Sequence, residues 1–186
     1  MDGDREFIQI VDAALAEAAQ KSGAWLVCRP GCFQCCLGAF AITQLDAARL
    51  RTGLQELEVS DPARAVRVRQ RARDAADRLR MPAAGFAGDA EFESWLESLP
   101  DDDPCPVLDP ETGTCDLYAA RPVTCRVFGP PVRWGGEAVG VCELCFEGAS
   151  DEEIAACEVR LDVAALESEI VSGRQTLVAL ALHSVR

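Results

Sequence analysis

The chain has 186 residues, 49% of them hydrophobic and 26% charged, which describes one soluble globular domain and excludes a disordered chain. Its 31 acidic residues against 18 basic ones give a net charge of -13, so a polyanion would be repelled and nucleic acid is not expected as the main partner. Ten cysteines accompany a single histidine, His183, and that pairing limits the available chemistry more than any other count.

The first residues, Met1-Asp2-Gly3-Asp4-Arg5-Glu6, are acidic where a secretory signal needs a basic patch followed by an apolar run. No stretch approaches the roughly 18–20 apolar residues that span a bilayer. The expectation is a cytoplasmic protein without a membrane partner, in a reducing compartment where thiols stay free unless a metal or a catalytic cycle holds them.

From Glu6 to Ser22 the residues Phe7, Val11, Ala14, Leu15 and Ala18 form one stripe at helical spacing, and Gly23 ends it. Ala24 to Val27 read as a short strand that delivers the chain to Cys28. The cysteine run beyond it holds Pro30 and Gly31 and reads as a loop. Thr43 with Asp46 predicts a capping box and a helix to about Leu57, and Ser60-Asp61-Pro62 predicts a second helix to Arg80. That second helix carries a narrow small-residue stripe (Ala65, Val68, Ala72, Ala76, Leu79) against a face of arginines. Seven acids without a base lie between Asp89 and Asp103, so an internal charge match explains the arginines more economically than an anion-binding patch. Asp101-Asp102-Asp103 read as a solvated loop rather than an acid/base site.

Residues 81 to 104 form a connector with a short helix at Glu93 to Glu97. Turn formers from Asp109 to Thr114 predict a hairpin with Cys105 and Cys115 at corresponding ends. A second hairpin is predicted around Trp134-Gly135-Gly136-Glu137, its outgoing strand leading from Ala138 to Val141 into Cys142. Ser150 with Glu153 is another capping box, and the remainder is predicted helical with breaks near Asp162 and Gly173. The expected fold is mainly α: a single helical domain, residues 1–186, around a small hairpin-containing, cysteine-lined metal centre, with its core motifs in 28–145.

Cys28, Cys32, Cys35 and Cys36 make one tight C-x3-C-x2-C-C run. Cys105, Cys115 and Cys125 follow at intervals of ten, then the C-x2-C pair Cys142 and Cys145, with Cys157 apart. Thiolates are soft ligands, and loops of this spacing curl round zinc or an iron–sulfur cluster without stretching. One histidine makes a Cys2His2 zinc site improbable and removes a two-histidine, one-carboxylate iron site altogether. The nine cysteines Cys28, Cys32, Cys35, Cys36, Cys105, Cys115, Cys125, Cys142 and Cys145 are the candidate ligands, of one site or of two. Adjacent Cys35 and Cys36 point in different directions in most backbone conformations, so one can serve its own run while the other turns to a second metal or to Cys125. Cys142 and Cys145 also have the spacing of a redox dithiol, without a thioredoxin-like context. Cys157 reads as a buried apolar residue. Arg121 and Arg126 offset thiolate charge or form surface ion pairs, and Tyr118 and Phe128 read as covers of the site.

Cys28-x3-Cys32-x2-Cys35 is also the spacing with which radical S-adenosylmethionine enzymes hold a [4Fe–4S] cluster. The alternating strands and helices of their barrel are missing, and Gly135-Gly136-Glu137 reads as a hairpin turn rather than as a cofactor motif. Together with Cys105-Pro106-Val107-Leu108, Cys115-Asp116-Leu117-Tyr118 and Arg121-Pro122-Val123-Thr124-Cys125-Arg126-Val127-Phe128, the first run resembles the YkgJ family of cysteine-cluster proteins, over roughly Cys28 to Cys145. The resemblance implies a zinc- or iron-chelating domain. Flagellin lysine N-methylases share the cysteine motifs but are longer, and this chain has no glycine-rich strand–turn–helix for S-adenosylmethionine.

Three functions follow as expectations. The leading one is a metal-binding protein with an all-cysteine site holding an iron–sulfur cluster, [4Fe–4S] in type, for sensing, electron transfer or metal handling. The second is a structural Zn(Cys)4 interaction module, and the third a metal-dependent enzyme related to the methylases. The sequence offers no nucleophile–base pair, phosphate loop or triad for the third. A protein partner is compatible with all three and is not identified by the sequence.

Overall fold

A computed structural model describes residues 2–79, 81–82, 86–161 and 175–183. Helices dominate, as the sequence predicts: α1 (Asp2–Ser22), α2 (Gln44–Ser60), α3 (Pro62–Arg78), α4 (Asp89–Glu97), α5 (Val123–Val127), α6 (Asp151–Cys157) and α7 (Val178–His183). Strands are short: β1 (Leu108–Asp109), β2 (Thr114–Cys115), β3 (Val132–Trp134), β4 (Glu137–Val139) and β5 (Val159–Leu161). The chain divides into two compact units. Unit 1 takes the described residues within 1–30 and 123–172, and unit 2 those within 31–122 and 173–186. No described helix is long and apolar enough to cross a membrane.

Unit 1 is built on α1, which starts four residues ahead of the predicted Glu6. Its stripe buries Phe7, Val11 and Ala18 against Val127, Val132, Val159 and Leu161. The ring of Phe7 meets Trp134 edge-on at 6.0 Å. Gly23, at φ +50, ends the helix and opens a 3-10 turn over Gly23–Trp25, so the strand expected at Ala24 to Val27 does not form. β3 and β4 form the predicted hairpin, with Gly135 and Gly136 both at positive φ as a tight two-residue turn demands. This is also why Gly135-Gly136-Glu137 is a turn and not a cofactor motif.

The capping box of Ser150 and Glu153 starts α6 as predicted. The residues after it are not all helical: Val159–Leu161 extend as β5 and pair in parallel with β3, giving the order β4-β3-β5. Val159 and Leu161 are buried while Arg160 between them is exposed, the alternation of a half-buried strand. The breaks expected near Asp162 and Gly173 lie outside the described residues.

Unit 2 packs α2, α3 and α7 around Leu50, Leu54, Val68, Val178 and Leu182. The Thr43 hydroxyl accepts the Asp46 N–H while the Asp46 carboxylate accepts from the Thr43 N–H, the full capping box, and α2 runs on to Ser60. Asp61 caps α3 with Pro62 in its first turn. Of the small-residue stripe, Ala65, Val68 and Ala72 are buried and Ala76 and Leu79 are half-buried. Arg80, the predicted end of α3, lies outside the described residues. The short helix predicted at Glu93 begins earlier, at Asp89.

Gly53, inside α2, shows how closely unit 2 is packed. A Cβ there would stand 2.5 Å from the Ala120 Cβ. Gly53→Ala gains about 1 kcal/mol of helix propensity, yet overpacking against the turn at Tyr118–Ala120 outweighs it. The expected net loss is about 1–2 kcal/mol in urea unfolding, with most of it recovered by adding Ala120→Gly. A Gly53→Ala chain as stable as the parent would contradict this packing.

Candidate metal centre

None of the ten cysteines is joined in a disulfide. Unit 2 contains Cys32, Cys35, Cys36, Cys105 and Cys115, and unit 1 contains Cys28, Cys125, Cys142, Cys145 and Cys157.

In unit 2 two segments distant in sequence deliver the sulfurs. A 3-10 turn over Gln34–Cys36 orients the adjacent pair. The chain then runs beside Asp103–Cys105: the Cys105 N–H donates to the Cys36 carbonyl at 2.7 Å, the Gly38 N–H donates to Asp103 at 2.9 Å, and Leu37 bridges Pro104. Gly38 is required in this approach, because its φ is +76 and a Cβ would lie 3.0 Å from the Asp101 carbonyl oxygen. β1 and β2 form the predicted hairpin, but its register differs from the expected one: Cys115 faces Leu108. Cys105 lies before the ladder, its carbonyl accepting the Leu108 N–H in a turn at 2.9 Å. Pro106 explains this, since it has no N–H to give to a ladder.

The hairpin is fixed to α3 by the arginine face. Arg64 and Arg71, two turns apart on that helix, both pair with Asp116, whose side chain is only 1% exposed. Arg71 Nε also donates to the Pro106 carbonyl at 2.9 Å. One guanidinium thus ties the residue after Cys105 to the residue after Cys115. The internal charge match expected for the arginines exists, but mainly with Asp116 and with Glu58, which pairs Arg69. From the acidic stretch, Asp103 meets Arg78 in an exposed pair at 3.6 Å. Asp116 was not legible as a site residue. The available signal was an acid set between Cys115 and Leu117 opposite a helix with arginines at seven-residue spacing.

Electrostatics link these sulfurs. The Cys35 thiol is held protonated well above its ordinary range, first by a hydrogen bond shared with Cys36, then by burial and by the neighbouring Cys36 charge, while the Arg121 guanidinium acts in the opposite direction. Burial pushes the Cys105 thiol up to about 12, with Cys115 and Cys35 adding to the rise. Burial also raises Cys115, against the pull of Arg121. Cys35, Cys105 and Cys115 therefore lie within electrostatic reach of one another, and Cys36 beside Cys35. Hydrogen bonding from the backbone at Val107 and at Leu117 acts against that rise at Cys105 and Cys115 without reversing it. Such N–H contacts favour a thiolate and are the usual support of a metal-bound sulfur.

The predicted roles of the two arginines separate. Arg121 acts on Cys35 and Cys115, and its guanidinium carbon lies 4.0 Å from the centroid of the Tyr118 ring. Arg126 is buried in unit 1, where it pairs with Asp12 at 2.6 Å, and serves the packing of α5 on α1. Tyr118 and Phe128, expected as covers, are 61% and 40% exposed. Asp101 to Asp103 are exposed, and so is His183 at the end of α7.

In unit 1, Cys142 and Cys145 are buried in a small cluster with Phe146 and Cys157, against Trp25 and Leu26. Cys157 is the apolar core residue expected, its thiol donating to the Lys21 carbonyl at 3.3 Å. Cys28 is exposed and Cys125 is half-buried in α5. Among the described residues, no group of three or more His, Cys, Asp or Glu side chains is arranged to hold a metal ion as it stands. Cys35 is in hydrogen-bonding reach of Cys36, and Cys142 of Cys145. The donor chemistry fits zinc or an iron–sulfur cluster: free sulfurs, backbone N–H groups facing them, and a nearby guanidinium to offset negative charge.

Fold and site define a mainly helical, cysteine-rich chelating module. Residues 27–143, more than half of the chain, match the CxxCxxCC family, described as "Putative zinc- or iron-chelating domain", and the chain belongs to that family. The family label places two residues between its first cysteines, whereas Arg29-Pro30-Gly31 place three between Cys28 and Cys32. No curated protein and no solved structure matches the chain.

Proposed function

We propose that unit 2 carries an all-cysteine metal centre with Cys35, Cys36, Cys105 and Cys115 as ligands and Cys32 as the neighbouring reserve. Its occupant in this reading is an iron–sulfur cluster, and its role is sensing, electron transfer or metal handling. The observation that supports the proposal is the joining of two remote segments by the Cys36–Cys105 backbone bond and the Arg71 tie, with Cys105 and Cys115 each close enough to Cys35 to respond to its charge. A cluster is favoured over a lone zinc because the sulfurs in the chain exceed the four that one zinc takes. When bound, such a centre supplies one-electron chemistry at a potential set by hydrogen bonds to sulfur and by nearby charge. In this reading the backbone at Val107 and Leu117 would supply those hydrogen bonds and Arg121 the charge.

Structural zinc remains the second reading, supported by the same donors and by the shortness of the β elements around them. Strictly anaerobic purification, with elemental analysis and an absorption spectrum of one sample, separates the two. The proposal expects iron with matching acid-labile sulfide and a broad visible band. Colourless protein that holds zinc tightly and takes up no iron on anaerobic reconstitution would overturn the cluster and leave the structural reading.

A further inference from the structure

The C-x2-C pair of unit 1 takes no part in the unit 2 centre, and one turn holds it. Cys142-Glu143-Leu144-Cys145 form a hydrogen-bonded β-turn, with Glu143 and Leu144 at its corners and the Cys145 N–H donating to the Cys142 carbonyl at 2.8 Å. The first and fourth Cα atoms of such a turn lie within about 7 Å of each other, and a disulfide asks for roughly 4.4–6.8 Å. The turn thus brings the two residues to the separation that a disulfide spans.

Both ends of the turn are tied to other segments of unit 1. The Cys142 N–H donates to the Gly129 carbonyl at 3.2 Å. The Phe146 N–H donates to the Trp25 carbonyl at 3.2 Å, and the Phe146 ring stacks on Trp25 with centroids 6.1 Å apart. Phe146 sits at φ +60, a left-handed conformation that costs a non-glycine residue energy, so its surroundings fix the backbone directly after Cys145. In the folded chain the two cysteines are held together and cannot drift apart.

Both lie in a buried cluster with Phe146 and Cys157. Cys157 is the competing thiol there, and it is already turned to the Lys21 carbonyl at 3.3 Å. Cys142 and Cys145 are each 4% exposed, a burial that a small oxidant passes by local opening and that shuts out a bulky protein dithiol. The matched family region ends at residue 143 and so contains Cys142 without Cys145.

We propose that Cys142 and Cys145 form a reversible modification site, a dithiol that hydrogen peroxide converts to a disulfide within the turn. One sulfur attacks an oxygen of the peroxide: an S–O bond forms, the O–O bond breaks, and the departing oxygen leaves as water with the thiol proton. The other sulfur then displaces the hydroxyl group: the S–S bond forms, the S–O bond breaks, and a second water leaves with the second thiol proton. The pair gives up two electrons and two protons, and the peroxide is reduced to two waters. A small thiol reverses the change by exchange through a mixed disulfide. The site stands whether or not the unit 2 centre binds metal, because that centre uses neither sulfur.

The test exposes the reduced full chain to excess hydrogen peroxide, alkylates the remaining thiols and digests with a protease that cuts after glutamate. Glu143 lies between the two cysteines, and Glu147, Glu152 and Glu153 separate both from Cys157. Fragments 138–143 and 144–147 therefore stay joined only through a bridge between Cys142 and Cys145. Mass spectrometry is expected to find them joined in most of the treated chain, and separate and alkylated after dithiothreitol. Cys157→Ser should form the same bridge, and Cys145→Ser should lose it. Separate, alkylated fragments from the treated parent chain overturn the proposal. A bridge from either cysteine to another thiol overturns it too, as does conversion of the pair to sulfinic acid without a bridge.

Discussion

Asp116→Ala is expected to destabilise the metal-free chain by roughly 2–4 kcal/mol and to release the segment that carries Cys115. The carboxylate is 1% exposed and faces both Arg64 and Arg71. Removing it leaves two like charges side by side, which on a fully buried pair costs about 3–5 kcal/mol. Arg64 and Arg71 are 34% and 24% exposed, so they recover part of that loss by turning to water, which lowers the expected figure. Urea unfolding of Asp116→Ala, Arg71→Ala and the double variant checks the account. A coupling of about 1–3 kcal/mol is expected, because the residues share one network. Additive effects would mean that the Arg71–Asp116 pair does not hold the hairpin. Asp116→Asn keeps the shape without the charge and should fall between the parent and Asp116→Ala.

Cys35→Ser should have the larger effect once metal is bound. A complete structural thiolate site contributes on the order of 10 kcal/mol of apparent binding energy, comparable with the stability of a whole domain. A serine oxygen is a poor substitute for a soft sulfur, so metal content and thermal stability are expected to fall together. Cys157→Ser is the matched control: its thiol bonds the Lys21 carbonyl, a contact the shorter hydroxyl can attempt, and its metal content should match the parent. Elemental analysis with thermal melts in the presence and absence of metal decides the matter. Full metal content in Cys35→Ser would remove Cys35 from the ligand set.

Local chemistry was the legible part of this fold. Thr43 with Asp46, Asp61 with Pro62, and Ser150 with Glu153 each satisfy orphan N–H groups within four residues, so nothing beyond the local sequence is needed to read them. The Gly135-Gly136 turn was legible for the same reason. β5 was not, because Val159-Arg160-Leu161 is too short to show a period and acquires its extended form from β3, a partner remote in sequence. The strand expected at Ala24 to Val27 was apolar without a ladder to join. Hairpin register failed at Pro106, where the missing N–H moves Cys105 out of the ladder.

The cysteines announced the candidate site, but its supports were hidden. Arg71 and Asp116 looked like one more pair of opposite charges in a chain rich in them. Only the fold shows that the pair joins the neighbours of Cys105 and Cys115. The N–H groups of Val107 and Leu117 were invisible for a simpler reason. Every residue except proline has one, and only the turn decides where it points.

The core of unit 2 is completed by Val178, Ala181 and Leu182 of α7, which are made long after Cys36 and Cys115. At ordinary synthesis rates the hairpin waits roughly 3–12 seconds on the ribosome before that helix exists. Through that interval the thiols of unit 2 belong to a nascent chain whose three-helix core cannot close. A metal that the proposed centre took up in that interval would sit on a hairpin still without the helix that completes its core.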